Sequence, residues 1–306
     1  MLSIKTNSSA MVALQNLSST QREMDKTQSR ISTGLRVASA SDNAAYWSIA
    51  TTMQSDNSAL STVKDALNLG SATIDTANAG LTASKDLVNQ IKSKLVAALQ
   101  PGIDRTKVQD EIGQLQKQLK SVADSATFSG QNWLSVDSSA AGYNATRSIV
   151  ASFTRDSANA VTIQTIDVDI TSKALFDANG QLGIIDKDRT SGATTAAVDT
   201  MDISALTDSA ADLTTLNDYV KITDAALTDI VSASSSLGAS KARVATQQAF
   251  VSSLSDSITK GVGALTDADM TEESTRLQAL QTQQQLGIQS LSIANQQTQS
   301  VLSLFR

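Results

Sequence analysis

The chain contains no cysteine, no histidine, a single proline and only 3% aromatic residues among its 306. Without thiols or imidazoles, disulfides, thiolate nucleophiles and imidazole general bases are excluded. Zinc and iron lose their usual ligands, leaving only a hard cation held by oxygen as a conceivable metal. A formal net charge of -6 argues against nucleic acid as a partner, because counterion displacement needs a basic face. Long apolar runs are missing as well. No stretch approaches the length that spans a bilayer, and residues 1–9 lack the apolar block of a cleavable signal. The expectation is a soluble chain with no membrane partner that leaves its cell, if it does, by another route.

Charge is unevenly spread. Residues 1–40 carry Lys5, Arg22, Lys26, Arg30 and Arg36 against Glu23 and Asp25, and residues 270–306 balance Glu272 and Glu273 with Arg276 and Arg306. The acidity therefore belongs to the middle. From residue 277 to residue 305 there is no charged side chain, only Gln, Ser, Leu and similar residues. A helix of that composition favours protein partners over water.

Heptad spacing dominates what is present. One series visits Leu60, Val63, Leu67, Gly70, Ile74, Ala77, Leu81, Ser84, Val88, Ile91, Leu95 and Ala98. A second visits Val108, Ile112, Leu115, Leu119, Val122 and Ala126, and a third runs from Leu213 through Leu237 and Val244 to Val262. Stripes this long are buried only against helices of similar length, which predicts a bundle of rods. Pro101-Gly102 falls between the first two series and predicts an antiparallel return. A first rod from about residue 44 to 99 would be roughly 80 Å long at 1.5 Å per residue.

Between residues 128 and 205 the period changes. Residues 150–154 and 161–170 alternate and are β-branched around turn residues 156–159, predicting a β-hairpin. A turn is expected at Asn179-Gly180, between Phe176 and Leu182, and residues 190–195 read as a small polar loop or exposed tip. The fold class is mainly α: long coiled-coil rods from both chain ends, a small β-hairpin region, and a variable outer region in the middle.

Catalytic material is scarce. Asp167-Val168-Asp169 and Asp267-Ala268-Asp269 are the paired acids, and both read as structural, the second as a helix start where carboxylates accept free N–H groups. Asp177-Ala178-Asn179-Gly180 lacks the further ligands of a calcium loop and reads as a turn. No phosphate-cradling Gly-rich loop occurs. Catalytic, metal and cofactor-binding residues are accordingly none, and no cofactor is expected. The Asn-x-Ser/Thr patterns at Asn7, Asn16 and Asn144 arise often by chance.

Two blocks carry a resemblance. Residues 30–45, RISTGLRVASASDNAA, resemble the flagellin signature of an Arg-Leu-Ser-Ser-Gly-Leu-Arg core followed by Ser-Ala and an acidic-Ala-Ala helix start. The ending SVLSLFR at residues 300–306 is similar to the flagellin C-terminus. Further matches are FSGQN at 128–132, LGA at 237–239 and LTDADM at 265–270. The resemblance covers roughly residues 1–135 and 210–306.

It implies an inner terminal coiled coil of residues 1–40 and 270–306, a long-helix bundle with a β-hairpin of residues 41–170 and 205–269, and a small variable outer region of residues 171–204. It also implies a secreted, non-enzymatic protomer of the bacterial flagellar filament, exported unfolded by the flagellar type III system. The implied partners are other copies or sister flagellins, an export chaperone, the filament cap and the hook-junction proteins.

The apolar residues expected to form the filament core are Ile4, Met11, Leu14, Leu17, Ile31 and Leu35 at one end, and Leu277, Leu280, Ile288, Leu291, Val301, Leu302 and Phe305 at the other. Neither thin stripe alone offsets a chain entropy of roughly 1–2 kcal/mol per residue, so both ends are expected to order only in the polymer. The signature residues Arg30, Gly34, Leu35, Arg36, Asp42, Ala44 and Ala45 form a joint, with Gly34 as hinge. In flagellins detected by the innate Toll-like receptor, the contact stretch carries two Arg and a Glu. Here it is Asn89, Gln90, Ile91, Lys92, Ser93 and Lys94, with Gln90 in place of the first Arg and Ser93 in place of the Glu, which predicts weak activation. A hook–filament junction protein, an amphipathic lipid- or granule-coating protein and a carboxylate hydrolase are the rival readings.

Overall fold

A computed structural model describes residues 7–156, 158 and 160–303, with side chains in the last helix described through residue 296. Among the described residues there are five helices: α1 (Ser8–Thr33), α2 (Ala44–Ala98), α3 (Arg105–Ser125), α4 (Ala210–Thr266) and α5 (Met270–Ser303). Eight short or medium strands lie between α3 and α4, from β1 (Thr127–Phe128) to β8 (Thr194–Ala196). The chain divides into two compact units, one of residues 1–58 and 255–306, the other of residues 59–254.

In the larger unit, all twelve heptad positions of α2 from Leu60 to Ala98 are buried. At 55 residues, α2 measures roughly 80 Å. On α4 the residues seven apart, Leu216, Thr223, Ile230, Leu237, Val244 and Val251, are all buried. The intervening heptad positions are partly polar and reach across to α2. Ser234 Oγ lies 2.6 Å from Asn78 Oδ1, Lys241 Nζ lies 2.5 Å from Asp75, and Gln248 Nε2 donates to Asn68. These rungs satisfy one antiparallel register, as polar core positions do in coiled coils. Gly70 is required by close approach. A Cβ there would meet the Ile149 side chain at 2.5 Å, so the β-hairpin seats directly on the α2 backbone.

The expected hairpin is β4 (Thr146–Arg155) paired antiparallel with β5 (Val161–Asp169), with a register shift between Val150 and Ser152. Other details of the middle differ from the sequence reading. Residues 190–195 form a tight hairpin, β7 (Arg189–Ser191) with β8, whose turn at Gly192 and Ala193 is an exposed tip. The Ser191 hydroxyl donates to buried Asp218 of α4 and the Arg189 guanidinium pairs with Asp229 at 2.6 Å, holding this hairpin on the helix. The Asn179-Gly180 turn is present, but Phe176 belongs to β6 (Phe176–Asp177), which pairs in parallel with β3 (Ser135–Val136), while Leu182 is exposed.

Residues 171–204 share the core of the larger unit through Leu175, Ile185, Val198, Met201 and Ile203, all fully buried. Gln116 of α3 donates to the Val198 and Met201 carbonyls at 3.0 and 3.1 Å. This stretch is thus laid on the helices as a cover. Its irregular backbone gives its apolar residues no period.

The cover holds two carboxylates at odds with their surroundings. Burial pushes the Asp199 carboxyl above its ordinary range, with nearby Asp186 acting the same way, and burial likewise raises Asp186. Asp199 Oδ1 has no hydrogen-bond partner. A raised carboxyl makes the native state hold its proton more tightly than the unfolded chain, so stability falls as pH climbs from the ordinary value through the raised one. Asp199→Asn is therefore expected to raise Tm at neutral pH by about 2–4 °C, an advantage that shrinks on acidification below the ordinary carboxylate range. Thermal melts of both proteins across pH check it, and a pH-independent difference would contradict it.

In the smaller unit, the Asn7 side chain caps α1 by accepting from the Ala10 N–H, and Gly34 closes it in the left-handed region at φ 73°. α1 and α5 run antiparallel, with rungs at Gln21–Gln284 and Arg30–Glu273. Asp269 caps α5, accepting from Thr271 and Glu272 N–H at 2.8 and 3.2 Å. That is the helix-start role expected of it.

Candidate self-assembly surface and joint

The apolar stripe of each terminal helix divides between two faces. On α1, positions 10, 13, 17, 20, 24, 27 and 31 follow alternating steps of three and four and are buried or half-buried; on α5 the same holds for 273, 277, 280, 284, 287, 291 and 294. These two heptad seams meet. Leu17 Cδ1 stands 3.3 Å from where a Cβ on Gly287 would be. Several seam residues are small or polar, among them Ala10, Ala13, Thr20, Thr27, Gln284, Gly287 and Ala294, so the pair buries little apolar surface for its length.

Larger side chains lie outside the seam. Met11, Val12 and Leu14 are 66%, 57% and 59% exposed, and Leu286, Ile288 and Ile293 are 56%, 54% and 64% exposed. Of the residues expected in the filament core, Leu17, Ile31, Leu277, Leu280 and Leu291 therefore join α1 to α5 within one chain. Met11, Leu14 and Ile288 lie outside the seam and stay exposed in the single chain. Leu35 is half-buried in the joint, bridged to Asp267. Ile4 and Phe305 fall outside the described residues, as do the side chains of Val301 and Leu302.

The signature residues converge on one turning device. Arg30 pairs with Glu273 at 2.9 Å, both side chains largely buried, locking the end of α1 to the start of α5. Gly34 O accepts from Ala268 N–H, and Arg36 N–H donates to Thr266 O at 2.6 Å. The Arg36 guanidinium donates to the Leu265 carbonyl at 3.0 Å, a cation on the last turn of α4 where the helix dipole is negative. Asp42 Oδ2 accepts from the amides of Ala38 and Ser39 and from the Ser39 hydroxyl. These bonds, the Ser39 hydroxyl first, hold its carboxyl below the usual range. Asn43 caps α2 by accepting from Ala45 and Tyr46 N–H, and Ala44 and Ala45 are its exposed first residues. A Cβ at Gly34 meets no atom within 4 Å, so only the positive φ demands glycine there.

The receptor-equivalent stretch lies on α2 with Asn89, Gln90 and Ser93 exposed. Ile91 is fully buried and so belongs to the core, unable to meet a receptor in the folded chain. Lys92 pairs with Asp224 at 2.5 Å and Lys94 pairs with Glu111.

Among the described residues, no group of three or more His, Cys, Asp or Glu side chains is placed to hold a metal, and no helix is long and apolar enough to cross a membrane. Paired terminal helices with outward apolar faces, joined through one turning device to a body of long helices, define a structural assembly protein. The model of the bacterial flagellin N-terminal helical region matches residues 4–139, and that of the C-terminal helical region matches residues 220–305. Flagellin A of Rhizobium meliloti is 43% identical and flagellin C of Rhizobium meliloti strain 1021 is 46% identical, each over 100% of both chains. A flagellin of Brucella melitensis is 44% identical over 100% of both chains. The chain belongs to the bacterial flagellin family.

Sequence reasoning missed three features here. The small and polar members of the seam, such as Ala10, Ala13, Thr20 and Gly287, carry no hydrophobic signal. The Arg36 cap depends on a carbonyl 229 residues away. Arg30–Glu273 is a pairing of distant positions that only the antiparallel register reveals.

Proposed function

We propose that this chain is the structural protomer of a bacterial flagellar filament, exported unfolded by the flagellar type III system and assembled outside the cell for swimming. The observation that carries the mechanism is the outward apolar face of α1 and α5, Met11, Val12, Leu14, Leu286, Ile288 and Ile293, on helices whose mutual seam is thin. Such a pair is marginal alone and gains stability when neighbouring copies cover its outer face. Residues 1–40 and 270–306 act as the inner part of the polymer, 41–170 and 205–269 as the rods around it, and 171–204 as the outermost cover. Absence of thiols and the single proline suit unfolded transit, because neither disulfide trapping nor much slow isomerisation delays folding on arrival. The protomer has a structural role and no catalytic one. Its further partners are an export chaperone, the filament cap and the hook-junction proteins. Purified protein seeded with filament fragments is expected to elongate into long fibres by negative-stain microscopy. Failure to elongate under seeding would contradict the reading.

Gly34 serves as the joint between the terminal pair and the rods. Gly34→Ala places a side chain at φ 73° at a cost of about 1 kcal/mol, and filaments of this variant are expected to differ in curvature from wild type. Unchanged curvature and polymorphism would count against the hinge. At the receptor-equivalent stretch, Gln90 and Ser93 lack the forked guanidinium and the carboxylate of activating flagellins, so a reporter assay is expected to give a weak response. Full potency would show this expectation wrong.

A further inference from the structure

The first turns of α2 carry an apolar face that the described chain leaves partly exposed. Tyr46, Ile49 and Met53 follow steps of three and four and are 43%, 46% and 36% exposed, with Trp47 beside them at 39%. The inward position between them is filled by Ala50, only 5% exposed, so the large side chains of this segment point away from its own core. A chain with two tryptophans and three tyrosines has thus placed one of each side by side on an exposed helix. Aromatics and Met are the residues enriched at the centres of protein interfaces.

Charge narrows the occupant. Residues 44–55 have no charged side chain, their flanks are Asp42 and Asp56, and no Lys or Arg occurs between Arg36 and Lys64. The segment itself offers an anionic lipid surface or a nucleic acid no cation of its own. An uncharged protein face can cover the patch without stranding a charge. This same unit offers one, since α5 has no charged residue after Arg276 among its described residues and presents Leu286, Ile288 and Ile293 outward. Two different uncharged faces on one chain make a heterologous contact, which generates an open helical polymer when its rotation does not close a ring.

Resting on the filament reading, we propose that the Tyr46–Trp47–Ile49–Met53 face is a second assembly contact, covered by a neighbouring copy of this chain in the fibre. Trp47 reports on it directly. Trp133 is only 3% exposed, and Trp133→Phe leaves Trp47 as the sole tryptophan.

In that variant, acrylamide quenching of Trp47 is expected to fall roughly fivefold, with a blue shift in emission, when free chains are seeded into filaments. As a second measurement with Trp133 intact, Tyr46→Ser/Trp47→Ser is expected to raise the critical concentration for elongation roughly tenfold or more, with unchanged helix content. Equal quenching in free and polymerised chains, or a double variant that elongates at the wild-type concentration, would overturn the assignment while leaving the filament reading intact. A wild-type chain that never elongates would sink the filament reading and this contact with it.

Discussion

A chain truncated after Asp269 is expected not to elongate flagellar filaments, while its larger unit still melts cooperatively. Truncation removes α5 and with it the seam partner of α1 and half of the outward apolar face. The larger unit keeps its own core, since α2, α3 and α4 supply Leu67, Ile74, Leu81, Ile112, Leu119, Leu216 and Ile230, all nearly or fully buried. A finer version keeps the helix and changes only its outer face. Leu286→Ser/Ile288→Ser/Ile293→Ser exchanges three side chains that are 54–64% exposed in the single chain. Covering the exposed half of each is worth on the order of 2–5 kcal/mol in total, so the critical concentration should rise from roughly 30-fold to several thousandfold. Sedimentation of seeded solutions reads the effect. Normal elongation by either variant would mean that this face is not an assembly contact.

The second large effect is expected at Arg105, inside the larger unit. Its side chain is 5% exposed and donates to three acceptors: Nε to the Ala98 carbonyl at 3.1 Å, Nη1 to the Leu206 carbonyl at 3.2 Å and Nη2 to Asp208 at 2.5 Å. One guanidinium thereby ties the last turn of α2 to the first turn of α3 and to the segment that leads into α4. It also places a cation at the negative end of α2. Arg105→Ala leaves two carbonyls without their donor and opens a gap around the lost stem, costing roughly 2–5 kcal/mol. A fall in Tm on the order of 10 °C follows for a unit of this size. Arg105→Lys should recover only part of it, because an ammonium cannot fork to three acceptors at once. A Tm within about 2 °C of wild type for the alanine variant would contradict this role.

How far these features could be read from the sequence depended on whether hydrophobicity alone decides the packing. Along α2 it does: every position of the heptad series from Leu60 to Ala98 is inside. Along α4 the same period holds, and the polar residues Ser234, Lys241 and Gln248 that interrupt it turn out to be rungs to α2. At the chain ends hydrophobicity decides only part of the packing. The seam between α1 and α5 is filled by residues such as Ala10, Ala13 and Thr27, while Met11 and Leu14 stand outside it. Ranking positions by hydrophobicity there selects Leu17, Ile31, Leu277, Leu280 and Leu291 inside the seam and Met11, Leu14 and Ile288 outside it alike, and passes over the small residues that complete the seam. The cover of residues 171–204 was illegible for another reason. Leu175, Ile185 and Val198 are buried by short strands and turns whose apolar residues have no period to detect. The signature block showed which residues matter without showing why. Arg36 and Asp42 act on backbone groups, and backbone groups leave no mark in a sequence.

The central claim is that the two chain ends are incomplete alone and are completed by other copies of the same molecule. Amide hydrogen exchange on the full chain, free and in filaments, tests it most directly. The account predicts that α1 and α5 exchange within seconds in the free chain while α2 and α4 between residues 59 and 254 stay protected, and that α1 and α5 become strongly protected in the filament. Strong protection of both terminal helices in the free chain, unchanged by polymerisation, would contradict it.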